Sequence, residues 1–244
     1  MNHVHASAAD QLLYKITHDL SATVRALVEL PIWISEDLKD SGVVVSDDIQ
    51  ENLEALTVNG NRLAMMIDSL LIYSGVGKKQ SQKIINLADM VAEILDANPL
   101  PQSMKITTNF SKPSVLSCEP DFSRLCQALL SNAVKHRDSE TSQIALTITS
   151  DGQLTEVIVE DDGPGIPHNF REKALSVLTT LKPRDVVEGS GMGLSVADKI
   201  ASFYGGNLTL ETPESDTKRG LLVRVKLRNQ TSGDENTSQD SASP

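Results

Sequence analysis

The chain has 244 residues, 39% of them hydrophobic and 3% aromatic, with a formal net charge of -11 at pH 7. That is length enough for one large or two small domains with an aliphatic core. The acidic balance argues against a nucleic-acid backbone as the main partner, since such binders need a basic face. No apolar run approaches the roughly 20 residues of a membrane span, and the start, MNHVHASAADQ, lacks the basic and apolar stretches of a signal peptide. Cys118 and Cys126 have no metal-like spacing and read as free buried thiols in a reducing cytoplasm.

Residues 8 to about 40 carry apolar groups at helical spacing. Leu13, Leu20, Leu27 and Ile34 recur at sevens, with Ile16, Thr23 and Leu30 between them, which predicts the seam of a helical bundle. Pro31 predicts a kink, or an end to the first part of the helix. SGVVVSDD then supplies a loop with a cap at Ser46 or Asp47. A second helix follows, with Ile49, Leu56, Leu63 and Leu70 at sevens and Leu53, Gly60 and Ile67 between. Met65 and Met66, beside that seam, read as packing. Two helices cannot bury both stripes alone, so a four-helix bundle made by a homodimer is the economical solution. On this register His18 takes an f position, on the outermost face. Helix position alone makes it an ordinary surface histidine and Asp19 a solvated charge.

Beyond a linker at Gly75, Gly77 and KKQSQK, the pattern changes. It predicts a helix over 87–97, a strand near 104–110, a helix over 121–136 and strands over 143–148 and 154–161. In the last strand Leu221, Val223, Val225 and Leu227 face one way while Arg224 and Lys226 face the other. Helices on one face of a mixed sheet make an α/β sandwich, so the whole chain is expected to be α+β. From residue 231 onward TSGDENTSQDSASP has no large apolar residue and is expected to be disordered.

Three segments stand in order: LLSNAVKHRD (129–138), VEDDGPGIP (159–167) and EGSGMGLSVADKI (188–200). Asn132, one turn from a helix end, can offer an amide oxygen to Mg²⁺, and Lys135 at i+3 can offer a point charge to a phosphate. Asp161 at a strand end can accept from an exocyclic amine such as that of adenine, and Gly163 and Gly165 let the backbone approach the ring. Gly189, Gly191 and Gly193 precede an amphipathic helix bearing Leu194, Val196, Ile200 and Phe203, and free amides there form a nest for phosphate oxygens. Each has a bland reading: a residue near a helix cap, a tight turn, a flexible loop. Three bland readings in this order, between strands and helices of the right kind, would be a coincidence of a few per cent if they were independent, on the order-of-magnitude false-positive argument for short motifs.

With these segments the chain resembles the catalytic core of a two-component sensor histidine kinase. Residues 1–77 are similar to its dimerisation and histidine-phosphotransfer hairpin, 78–230 to its Bergerat-type (GHKL) ATP-binding domain with N, G1 and G2 boxes, and 231–244 form the tail. HDLSATVRAL, LLIYSGVGKK and TLKPRDVVEGSGMGL look closest to the phytochrome-like branch. The resemblance implies that His18 is the phosphoacceptor, Asn132 the Mg²⁺ ligand and Asp161 the adenine-reading carboxylate. It implies ATP-dependent autophosphorylation of His18, with Asp19 holding the proton of the other ring nitrogen, and transfer of the phosphoryl group to an aspartate of a response-regulator receiver domain. Lys182 and Arg184 fall in the expected ATP lid (about 168–190) and either touch phosphates or belong to a solvated loop.

Departures from the family pattern matter. Thr23 stands where the family usually has proline, and Ala22 stands where phosphatase-competent kinases carry Thr or Asn, so weak or no dephosphorylation of the partner is expected. A Phe-rich box before the lid is not visible; Leu178 and Leu181 can substitute in packing. Rival readings are a gyrase-like ATP hydrolase or an anti-sigma serine kinase, both weakened because Ala128 occupies the position of the water-activating Glu. Another is a histidine phosphotransferase with a vestigial ATP domain, which would need degraded boxes, and the last is a dimeric scaffold, which leaves the glycines unexplained. His3 and His5 make a weak ligand pair, and His136 and His168 read as loop residues. About ten residues precede the first helix; if residue 1 is the natural start, the signal is expected from a separate sensor acting in trans, a haem-based nitric-oxide sensor being one candidate, and otherwise from a PAS, GAF or phytochrome module upstream.

Overall fold

Two kinds of pattern, period seven and period two, build two kinds of unit. The structure, a computed structural model, describes residues 8–78, 81–139, 142–181, 189–214 and 219–229. It divides into one unit of residues 79–168 with 197–244 and another of 6–78 with 169–196.

The second of these holds a helical hairpin. Helix α1 runs Ala8–Asp40 and α2 runs Asp47–Gly75. The face of α1 turned to α2 is Thr17, Val24 and Pro31, while α2 contributes Leu53, Gly60, Ile67 and Ser74. This corrects the expected seam on α1, whereas on α2 the inward row is the expected Leu53, Gly60 and Ile67. Leu20, Leu27 and Ile34 are 44%, 49% and 45% exposed, as are Ile49, Leu56 and Leu63 to similar degree. Only one row of each helix meets its intrachain neighbour, and the leucine rows stay outside. Thr17 is tolerable in the seam because its hydroxyl donates back to the Leu13 carbonyl at 2.8 Å. Of the two outcomes expected at Pro31, an end to the helix is excluded, since α1 continues through it to Asp40. Pro31 cannot donate to the Leu27 carbonyl, and α2 meets that turn with Gly60, where an added Cβ would lie 3.2 Å from Val28 and 3.4 Å from that carbonyl. Ser46 is the N-cap residue of α2, although its side chain makes no cap bond.

The other unit begins with strand β1 (Gln82–Asn86), where the linker was expected to run on. Asn86 caps helix α3 (Leu87–Ala97) by accepting from the amides of Ala88 and Asp89. Next come β2 (Met104–Phe110), β3 (Ser114–Cys118) and helix α4 (Glu119–His136). The antiparallel pair β4 (Ser142–Ser150) and β5 (Leu154–Asp161) follows, then short α5 (His168–Ala174), α6 (Gly193–Phe203), β6 (Asn207–Glu211) and β7 (Leu221–Arg228). β1 pairs with β3; the main sheet has the order β2-β4-β5-β7-β6, with β2 parallel to β4 and the rest antiparallel.

The main sheet has one apolar face. Ile144, Leu146 and Ile148 stand opposite Asp161, Val159 and Val157, and Val157 and Val159 stand opposite Val225 and Val223. These valines, leucines and isoleucines are at most 3% exposed, each removal from water being worth about 1.5–3 kcal/mol. The other face of β5, β6 and β7 is polar: Arg224 pairs with Glu211 at 3.1 Å and Glu156 at 3.3 Å. α3 and α4 pack on one another and α4 packs on β5, closing the sandwich on Phe122, Leu125, Cys126 and Leu129. Asp121, fully buried, is satisfied by the Tyr204 hydroxyl at 3.0 Å and Arg124 at 3.3 Å. The fold class is thus α+β: a helical hairpin and an α/β sandwich. Among the described residues no helix is long and apolar enough to cross a membrane.

Candidate active site

The hairpin presents His18 on the outside of α1. Its side chain is 71% exposed, as expected, although the seam at Thr17, Val24 and Pro31 places it next to a seam residue rather than at an f position. Nδ1 lies 3.3 Å from Asp19 Oδ1. A carboxylate there favours the tautomer with the proton on Nδ1, which leaves the lone pair on Nε2. One turn back, the Tyr14 ring stacks beside the imidazole at 6.3 Å between centroids, and the Lys78 ammonium lies 4.9 Å above that same tyrosine ring. Neither contact was foreseen from sequence; an aromatic at i−4 was the available signal.

In the sheet unit, Asp161 ends β5. Its Oδ1 accepts from the amide of Gly163 at 2.9 Å and of Leu221 at 3.3 Å, so the second carboxylate oxygen remains available to an amine donor. Burial, helped by the neighbouring Asp162 and Glu160 charges, outweighs those two amides and pushes the Asp161 carboxyl above its ordinary value. Asp162 instead accepts from the Gln143 amide at 3.1 Å and ties down the start of β4.

Three glycines crowd together around Asp161, one against its carboxylate, one against its main-chain carbonyl and one against the second of these glycines. A Cβ on Gly163 would sit 2.9 Å from Asp161 Oδ1; on Gly165 (φ +70°), 2.5 Å from the Gly220 carbonyl; on Gly220 (φ +103°), 2.0 Å from the Asp161 carbonyl. Glycine at all three is what lets the β5 end, the turn after it and the β6–β7 loop converge. Gly220 and Leu221 are neighbours of Asp161 that sequence reasoning missed, since some 60 residues separate them from it and no local pattern links them. Nearby in sequence, Arg219 forms an ion pair with both oxygens of Asp138 at 2.7 and 2.8 Å. Asn132 and Lys135 lie in the last two turns of α4, Asn132 half-buried and Lys135 exposed. A cradle that any Cβ would fill, a carboxylate with one oxygen uncommitted and an amide at a helix end form a donor set suited to a purine and its phosphates. Among the described residues no group of three or more His, Cys, Asp or Glu is arranged to hold a metal ion. A Mg²⁺ with one amide ligand and phosphate oxygens needs no such group.

The glycine-rich segment belongs to the hairpin's unit. Gly189 and Gly191 lead into α6, which starts at Gly193; Leu194 is buried and Gly193 exposed. Lys182 and Arg184 lie outside the described residues.

Residues 118–231 match the family of histidine kinase-, DNA gyrase B- and HSP90-like ATPases. Relatives that match across the hairpin as well as this domain are a sensor protein, KdpD of Escherichia coli, and a sensory histidine kinase/phosphatase, NtrB of Klebsiella oxytoca. The chain resembles a two-component histidine kinase catalytic core. Over 225 residues this core is 28% identical to cyanobacterial phytochrome A of Nostoc sp., covering 84% of the chain and 29% of the phytochrome. Full-length ShkA in complex with AMPPNP shares the core's fold at a TM-score of 0.66 and 16% identity, over 89% of this chain and 45% of that one. ThkA in complex with the response regulator TrrA does so at 0.59 and 17%, over 90% and 63%. The chain spans about a quarter to a third of the length of the first curated relatives it matches.

Proposed function

We propose that this chain is an ATP-dependent protein histidine kinase that phosphorylates its own His18 and passes the phosphoryl group to an aspartate of a response regulator. The observation that carries the reading is the outward imidazole of His18 with Nδ1 against Asp19. The Nε2 lone pair attacks the γ-phosphorus in line, the bond from that phosphorus to the β–γ bridging oxygen breaks, and ADP leaves. Asp19 holds the Nδ1 proton and stabilises the positive charge that develops on the ring.

The uncommitted oxygen of Asp161 accepts from the adenine amine. Asn132 would hold Mg²⁺, which when bound neutralises charge on the phosphates. Lys135 and the amides at Gly189, Gly191 and Gly193 would hold phosphate oxygens, with Leu194 anchoring the helix behind them and Lys182 and Arg184 adding charge. The exposed Leu20, Leu27, Ile34, Ile49, Leu56 and Leu63 support a homodimer, since such an apolar surface is normally covered. ThkA, whose fold this chain shares, forms a complex with a response regulator, which supports a receiver domain as partner. Input from a separate sensor, with a haem nitric-oxide sensor as one candidate, completes the reading, and the cytoplasm is the compartment it requires.

The test is incubation with γ-labelled ATP and Mg²⁺. Label should appear on the chain in an acid-labile, base-stable form and vanish in His18→Ala and Asn132→Ala. Acid-stable label in His18→Ala would refute the assignment, and a receiver domain that takes no label from the phosphorylated chain would refute the transfer.

A further inference from the structure

Leu178 is the sole non-glycine residue with positive φ among the described residues, at 58°. A γ-branched side chain pays for that left-handed conformation with a clash of its Cβ, so something must hold it there. Its amide donates to Met192 Sδ at 3.2 Å. Met192 is itself 1% exposed. Its carbonyl accepts from the Val196 amide at 2.9 Å and the Ser195 hydroxyl at 3.0 Å, so the sulfur is borne by the first turn of α6.

The next residues meet as well. Gly191 has φ +70°, and a Cβ there would lie 2.7 Å from the Thr179 carbonyl oxygen. The chain that enters at Leu178–Thr179 is therefore fastened to the chain that leaves at Gly191–Met192 by a thioether acceptor and a glycine contact. Leucine at 192 would fill much the same volume but offer no acceptor.

We propose that Met192 is a positioning residue: its sulfur fixes the strained Leu178 turn, and that turn sets the path of the Gly191–Gly193 backbone that receives the triphosphate. The inference rests on the reading above that these glycines take phosphate. Packing alone would make any residue of methionine's size equivalent at 192. Positioning through the sulfur predicts that leucine fails unless Leu178 no longer needs to be held.

The experiment uses the full chain as wild type, Met192→Leu and Met192→Leu with Leu178→Gly. Hydrogen exchange at the residue-178 amide reads the contact directly, and autophosphorylation kinetics read its use. Met192→Leu should keep the wild-type unfolding midpoint, exchange faster at residue 178, and lose about tenfold or more in kcat/KM for ATP, the scale that small misplacements of reacting groups produce. Adding Leu178→Gly should restore kcat/KM while exchange stays fast, because glycine adopts positive φ without help. Wild-type kinetics in Met192→Leu despite faster exchange, or no rescue by glycine, would overturn the inference while the kinase reading stands. A wild-type chain that binds no ATP would overturn both, and the exchange result would then show only a structural contact.

Discussion

Replacing Asp161 with asparagine separates binding from folding. The backbone amides of Gly163 and Leu221 both donate to Oδ1, and an asparagine Oδ1 accepts them equally well, so the turn survives. The other position becomes an NH₂ that faces the adenine amine, donor to donor. A hydrogen bond to an ionised group contributes about 1.5–3 kcal/mol, and leaving the facing donors unpaired adds to the loss, for roughly 2–4 kcal/mol in all. At 1.4 kcal/mol per decade this is roughly a thirty- to several-hundredfold rise in Kd.

Stability moves the other way. Because burial raises the Asp161 carboxyl in the folded state, folding favours its protonated form. That contribution is fully present below the unfolded pKa and is lost as pH rises through the folded one, so at neutral pH the buried charge is a cost that asparagine removes. Displacement of a fluorescent ATP analogue by ATP and GTP, with a parallel thermal melt, reads both effects. The variant should lose affinity for ATP and its preference over GTP, with no fall in melting temperature. In the wild type, ATP affinity should also weaken on acidification, beginning above the ordinary value of 3.8, and the variant should not show this pH dependence. Unchanged ATP affinity, or a lost fold, would refute the assignment.

Asp19→Asn should slow autophosphorylation by about 10²–10⁴-fold, the usual contribution of a positioned proton acceptor, without changing the melting temperature, since both side chains are exposed. Leu27→Asp, on the exposed row, should yield a helical monomer by sedimentation, whereas Val24→Asp, in the intrachain seam, should unfold the hairpin by circular dichroism. The Cys126 thiol, pushed up to about 12 by burial, should resist maleimide in the native chain and react only on unfolding. Gly165→Ala should lower the melting temperature, because the methyl meets the Gly220 carbonyl at a positive φ.

Local pattern carried a large share of this protein. The bounds of α3, β2 and β5 follow directly from apolar periodicity, and the two faces of β7 from its alternation, because burial on one face imposes period two or 3.6 on the chain. The segments around Asn132, Asp161 and Gly189–Gly193 could be proposed as nucleotide boxes from sequence because each is a short local motif. Short β1, β3 and β6 were not foreseen, because five residues carry too little periodicity to stand out. Nor could sequence decide which of the heptad rows faces inward. Leu20 and Val24 are equally apolar, and the choice of Thr17, Val24 and Pro31 as the seam depends on a close approach at Gly60. Contacts across long sequence separations were the province of tertiary structure alone. The Leu221 amide on Asp161 and the Met192 sulfur on Leu178 join residues whose side-chain types do not announce each other, because backbone amides carry no sequence signature.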